Sequence, residues 1–202
     1  MRAAEGSQRL ALRAGLAVPR RPRTHEEAPL PDIDLSNRFE LPAAFDERTT
    51  LTQLLRYVRL TVHAKCVGLS QHDADKTPLP GSPAMSITGL VSHLRWVEAF
   101  WIDVVFLGGP NRWPGSDDDS ELQMRAGAGR PLSELLEEYA AQSAHTDEVV
   151  ASRDWEAESF YGYDGGEPVA LRYVITHLIE ETARHNGHLD ILRELADGVT
   201  GD

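Results

Sequence analysis

Two side chains near the C-terminus combine residue types and a spacing that suit a metal ion. They are Glu181 and His185, in the segment HLIEETARHNGHLDILRE, residues 177–194. An α-helix advances about 100° per residue, so these two side chains project from one face, within roughly 40° of each other. Carboxylate oxygen and imidazole nitrogen are common ligands of divalent metals such as zinc. The spacing therefore predicts that both side chains reach one ion.

The helix face that carries these two residues is otherwise apolar. The apolar residues within about 40° of His185 on a helical wheel are Val174, Leu178, Leu189, Leu192 and Ala196. A helix that packs on a core presents such a stripe to it and keeps charge on the opposite face. Burying an unpaired charge is costly, so Glu181 and His185 are expected to be paired with each other or bound to a metal.

A second predicted helix, residues 86–107, supplies the third ligand. Its apolar stripe consists of Leu90, Val97, Phe100, Val104 and Leu107. His93 lies at the centre of that stripe, where a lone histidine is usually a hydrogen-bonded core residue. Together with Glu181 and His185, it gives a set of two imidazoles and one carboxylate. This set matches the catalytic zinc pattern of three protein ligands and an open position. We predict a metal site at these three residues, with zinc favoured and nickel or iron as alternatives.

Three further polar residues are candidates for roles at the same site. His188 lies about 60° from His185 on the wheel and could replace Glu181 as a ligand, act as a catalytic base or contact substrate. His177, about 80° away, is a weaker candidate for a contact behind the ligands. Lys65 falls inside the apolar stripe of another helix and could present a catalytic cation to the pocket, or only pack its stem and extend its ammonium to solvent. A buried polar network without metal is the alternative for the whole group.

Four long amphipathic segments are expected to position these side chains. Helical periodicity covers residues 46–69, 86–107, 131–152 and 168–197, which predicts an all-α four-helix bundle. The loop at residues 153–167 is rich in aromatic residues and glycine and could cover a pocket at one end of the bundle. Its candidates for substrate contact, with ordinary loop packing as the alternative, are Trp155, Phe160, Tyr161 and Tyr163.

Composition narrows the function classes. The chain has 202 residues and a net charge of −12, which argues against nucleic acid or anionic membranes as partners. Its one cysteine, Cys66, cannot form a disulfide within the chain and fits a packed thiol in a reducing cytoplasm. Residues 1–40 are rich in arginine and proline and are expected to form a flexible extension, with one domain over residues 41–202.

The segments LVSHLRWVEAFW and HLIEETARHNGHLDILRELADGVTG, in this order, resemble the DinB-like superfamily. The resemblance covers residues 41–202. In detail, the sequence is similar to an actinobacterial branch of this superfamily, whose members are mostly of unassigned function. It implies a four-helix bundle with a long crossover connection and a divalent metal held by His93, Glu181 and His185. Many members have histidine at the position of Glu181. The related mycothiol-dependent maleylpyruvate isomerase resembles this chain in having glutamate there.

Three functions are compatible with these observations. The first is a metal-dependent thiol S-transferase or isomerase, in which a mycothiol-type thiol attacks a small electrophile. The second is a metal-dependent hydrolase or lyase that needs no thiol. The third is a non-catalytic bundle that binds metal for stability and forms a homodimer through a helix face.

Overall fold

Helices dominate the part of the chain that the structure describes. The computed structural model describes residues 28–38, 46–114 and 121–201. Its α-helices are α1 Glu47–Cys66, α2 Gln71–Ala74, α3 Ile87–Ala99, α4 Leu122–Arg125, α5 Leu132–Ser152 and α6 Leu171–Asp197. Short 3-10 turns occupy Leu35–Asn37 and Tyr163–Gly165. The four long helices confirm the prediction of an all-α bundle, and α2 and α4 are single turns that lie between the long helical segments.

The helix ends follow the capping residues of the sequence. The side chain of Asp46 accepts a hydrogen bond from the backbone N–H of Thr49, and Ser86 does the same for Gly89. Both are N-cap residues, which satisfy a donor that the first helical turn leaves open. Helix α6 ends at Asp197, and the next residue, Gly198, has a φ of 80°, a left-handed conformation that glycine adopts without steric cost.

The end of the second long helix differs from the ideal periodicity. Helix α3 continues into π-helical turns at Phe100–Phe106, and the backbone N–H of Leu107 donates to Ile102, five residues back. The wider turn shifts the buried face by one residue from the predicted stripe of Phe100, Val104 and Leu107. The buried side chains of these turns are instead Trp101, Ile102, Val105 and Phe106.

The apolar faces of the long helices form two packed clusters. Helix α6 packs along α1 and against α3, and α3 packs against α5. The first cluster includes Val62, Leu90, Leu135, Tyr139 and Leu189. The second includes Leu55, Ile102, Val150, Leu171 and Ile175. Within the described ranges, no helix is long and apolar enough to cross a bilayer.

The segment at residues 28–38 lies against the bundle. Leu30 packs on the first cluster, and Arg38 Nε donates a hydrogen bond of 3.1 Å to Thr61 Oγ1 on α1. Residues 1–27 and 39–45 lie outside the described residues. The flexible extension at residues 1–40 and the domain boundary at residue 41 therefore stay predictions.

A buried ion pair joins α1 to α3. Arg59 is 5% exposed and Glu98 is 2% exposed. The guanidinium donates to both carboxylate oxygens of Glu98, at 3.1 and 2.5 Å, and to Asp147 on α5 at 2.8 Å. Bidentate contacts of this kind satisfy a buried charge and fix the relative position of the helices that carry them.

Removing Glu98 would leave the Arg59 guanidinium buried, with the largely exposed Asp147 as its one remaining ion-pair partner in the described part of the chain. We expect Glu98→Ala to lower the free energy of unfolding by about 3–5 kcal/mol, the range for breaking a buried pair from one side. Urea denaturation followed by circular dichroism measures this change. Glu194→Ala, on the exposed face of α6, is the control and should change it by less than about 0.5 kcal/mol. An equal effect of the two substitutions would contradict the account.

Candidate metal centre

The structure brings His93, Glu181 and His185 together between α3 and α6. One ligand atom from each lies within 4.8 Å of the others. Glu181 Oε1 is 3.5 Å from His93 Nε2 and 3.4 Å from His185 Nε2. Both imidazole Nε2 atoms therefore face a single carboxylate oxygen, with a gap that is long for a hydrogen bond.

Helix geometry accounts for this convergence. Glu181 and His185 are one turn apart on α6, and His93 faces them from α3, which packs on the same side of α6. Asn186, next to His185, donates a hydrogen bond of 2.9 Å to the backbone carbonyl of Val58 and ties this part of α6 to α1. The three ligand candidates therefore lie on packed helices rather than on loops.

Charge and burial favour the protonation states that bind metal. The imidazoles of His185 and then His93, whose Nε2 atoms face Oε1, hold the pKa of the Glu181 carboxyl well below its usual range, although burial opposes them. Burial is the main cause that lowers the pKa of His93. Glu181 is thus a carboxylate and His93 a neutral imidazole near pH 7. Metal ligation requires these forms.

The donor set fits a divalent ion with an open coordination position. His93 Nε2 is buried and has no hydrogen-bond partner among the described residues, which is costly for a polar atom unless something binds it. The side chain of Glu181 is 20% exposed, whereas each histidine side chain is 9% exposed. Two imidazoles and a carboxylate match catalytic zinc sites and also non-haem iron sites.

Two polar side chains contact the ligand imidazoles from behind. Gln123 Nε2 lies 3.3 Å from His93 Nδ1, and His188 Nδ1 lies 3.1 Å from His185 Nδ1. His188 was a candidate from the sequence. Gln123 was missed because it lies outside the four segments with helical periodicity, and periodicity does not indicate which helix such a side chain will contact.

Close packing fixes Gln123 against α3. Ser92 Oγ, next to His93, donates a hydrogen bond of 2.7 Å to the backbone carbonyl of Gln123. A Cβ at Gly127 would overlap the Thr88 carbonyl oxygen, so the absence of a side chain there lets the α4 segment lie directly on α3. Gln123 is 5% exposed as a result.

Comparison with protein families shows to which family the chain belongs. A family model described as Mycothiol-S-transferase matches residues 50–198, which include all three ligand candidates. The chain belongs to the Mycothiol-S-transferase family. This family is DinB-like, which confirms the resemblance seen in the sequence.

Solved structures support the fold of this Mycothiol-S-transferase family member. It is similar to the crystal structure of a conserved protein from Enterococcus faecalis, with a TM-score of 0.56 and 15% sequence identity. The match covers 77% of this chain and 100% of the other. No curated protein matches the sequence.

The structure does not bring Lys65 to the ligand group. Its ammonium lies 2.5 Å from Asp190 Oδ1 and 2.7 Å from the carbonyl oxygen of Gly201. This placement corrects the expectation that Lys65 faces the same pocket as Glu181. The residues after α6 supply a backbone acceptor that the helical wheel of α1 does not include.

His177 also lies apart from the ligand group, within a cluster of aromatic rings. Its ring centroid is 4.3 Å from that of Trp101 and 6.5 Å from that of Tyr173. Tyr163, from the connection before α6, stacks on Trp101, with 5.0 Å between the ring centroids. We call Trp101, Tyr163, Tyr173 and His177 the aromatic wall. It begins one helical turn from Glu181.

The chain's single thiol is separate from this chemistry. Cys66 is fully buried in the first core cluster, and burial raises its pKa to about 12. Very little of the Cys66 thiol is then ionised at pH 8, so we expect native protein to resist alkylation by iodoacetamide. Mass spectrometry should show modification only after unfolding in urea. Rapid labelling of native protein would contradict this placement.

Metal content tests the ligand group directly. We expect about one equivalent of a divalent metal in the purified protein by mass spectrometry. Alanine at His93, Glu181 or His185 should weaken zinc binding by more than about 100-fold, because loss of even a residue that supports a ligand costs about 10–100-fold. His72→Ala, at an exposed histidine, is the matched control. A parent protein that stays free of metal after reloading with zinc, nickel or iron would favour a polar network.

Proposed function

We propose that this protein transfers a small thiol of the mycothiol type to an electrophilic small molecule, using a divalent ion at His93, Glu181 and His185. The observation that carries the proposal is the convergence of two imidazoles and one carboxylate, open on the Glu181 side, in a Mycothiol-S-transferase family member. When bound, such an ion lowers the pKa of a thiol that coordinates it.

The bond changes are those of thiol conjugation. The thiol loses its proton to the solvent, and its sulfur forms a bond to an electrophilic carbon of the second substrate. In an addition, the displaced electron pair moves onto that substrate, which takes up a proton. In a substitution, the pair departs with a leaving group. Elimination of the thiol after an addition would give an isomerase.

His188 is the residue that we propose to contact the electrophile. It is half-buried beside His185, and burial followed by the neighbouring His185 lowers its pKa, so it is neutral near pH 7. A metal-binding His185 uses Nε2 and keeps its hydrogen on Nδ1, which then donates to His188 Nδ1. His188 consequently carries its own hydrogen on Nε2. That N–H can donate to an atom on which negative charge develops.

The aromatic wall is suited to the apolar part of the electrophile. Tyr163 is 57% exposed and Tyr173 is 50% exposed, while Trp101 behind them is buried. Exposed aromatic rings favour planar or apolar ligands by stacking and by burial of apolar area, and the wall begins one helical turn from Glu181. We propose that this surface sets substrate preference, whereas the ligand group sets the reaction.

Turnover of a thiol with a chromogenic electrophile tests the function. We expect formation of the thioether conjugate to need both mycothiol and bound metal. His185→Ala should lower kcat/KM by at least about 100-fold, equivalent to roughly 2.7 kcal/mol of transition-state stabilisation. Cys66→Ala is the control, since that thiol is buried away from the site and should leave kcat/KM within about twofold.

Each other outcome of the assay selects a different function. Equal rates for the parent and His185→Ala would contradict a role for the ligand group. Turnover of the second substrate at an equal rate without thiol would indicate a hydrolase or lyase. Metal-loaded protein that converts no substrate would favour a binding bundle.

A further inference from the structure

We propose that Gln123 is a positioning residue for His93, and that its side-chain amide reverses when metal binds. The inference rests on metal binding by His93, which is part of the proposed function, but it does not depend on the thiol reaction. The motivating contact is the 3.3 Å separation between Gln123 Nε2 and His93 Nδ1. Both residues are buried, so water does not offer an easy substitute for either partner.

A neutral imidazole carries one hydrogen, and this determines what Gln123 must offer. The 3.3 Å separation suits a hydrogen bond in either direction. In the proposed metal-free state the Gln123 amide nitrogen donates to His93 Nδ1, so the hydrogen of His93 is on Nε2. Nε2 then points that hydrogen towards the Glu181 carboxylate, 3.5 Å away. This tautomer suits the protein without metal, because the carboxylate attracts a donor.

Metal binding requires the opposite tautomer. A metal at Nε2 takes the lone pair of that atom, so the neutral ring keeps its hydrogen on Nδ1. Nδ1 then becomes a donor, and the amide nitrogen of Gln123 can no longer face it. A rotation of 180° about the last side-chain bond presents the Gln123 carbonyl oxygen instead, in nearly the same space. An amide can thus serve both states, whereas a side chain with only a donor or only an acceptor serves one.

The surrounding structure holds Gln123 in place for this role. Its backbone carbonyl accepts from Ser92 Oγ, one residue before His93 on α3. The close approach at Gly127 fixes the other end of the same segment. Only the terminal amide of Gln123 needs to rotate, while the backbone and the distance to His93 stay unchanged.

Two substitutions separate the hydrogen bond from simple packing. Gln123→Met has a similar length but no strong donor or acceptor. Gln123→Glu offers an acceptor only, which matches the metal-bound tautomer. Gln142→Met, at a half-buried glutamine on α5 away from the ligand group, is the control. Zinc affinity is measured by competition with a chromophoric chelator, and the His93 tautomer by ¹⁵N NMR of protein labelled at histidine.

We expect Gln123→Met to weaken zinc binding by about 10–100-fold, and Gln123→Glu to bind within about threefold of the parent or more tightly. In the parent, the His93 hydrogen should move from Nε2 to Nδ1 when zinc binds. In Gln123→Glu, Nδ1 should carry a hydrogen even without zinc, whether or not Nε2 also carries one. The Gln142→Met control should match the parent in both measurements.

Three results would overturn the inference: unchanged zinc affinity in Gln123→Met, an equal loss of affinity in both Gln123 variants, or a His93 hydrogen on Nδ1 in the parent without zinc. If Gln123→Met does not fold, the tautomer of Gln123→Glu decides the question. Parent protein that binds zinc and shows the tautomer change, yet transfers no thiol, would contradict the proposed reaction and leave the role of Gln123 supported.

Discussion

The ionised carboxylate of Glu181 is the group around which the centre of the bundle is arranged. It lies on the inner side of α6, where an unpaired charge would cost several kcal/mol. Two imidazoles face its Oε1 atom at 3.4 and 3.5 Å, and they hold its pKa low despite partial burial. The gaps are too long for strong hydrogen bonds. A divalent cation between them would satisfy the anion and the lone pairs of both imidazoles.

Keeping three groups convergent requires rigid neighbours, and different parts of the bundle provide them. Arg59 on α1 binds Glu98 on α3, one and a half turns beyond His93. Asn186 on α6 binds the α1 backbone beside His185. Gln123 reaches His93 from a single helical turn that would lie elsewhere without the close contact at Gly127. The site thus depends on contacts from helices that contribute no ligand, which is typical of metal centres that hold their geometry.

Much of this arrangement follows from the sequence, and the rest depends on contacts distant in the chain. Helical periodicity located the four long helices and placed Glu181 and His185 on one inner face, because i and i+4 neighbours are set by local geometry. His93 followed from its position inside an apolar stripe. The π-helical turns at Phe100–Phe106 moved the buried face by one residue, which an ideal wheel does not capture. The partners of Lys65 and the contact of Gln123 arise from tertiary packing, so local periodicity contains no signal for either.

X-ray absorption spectroscopy at the zinc edge of loaded protein shows directly whether the centre is open. We expect two imidazole nitrogens and one carboxylate oxygen at about 2.0–2.2 Å, with a light atom in the remaining position and no sulfur. Adding mycothiol should introduce one sulfur at about 2.3 Å in place of that light atom. A third imidazole in a closed site, or an unchanged spectrum at saturating thiol, would contradict an open centre that binds and activates a thiol.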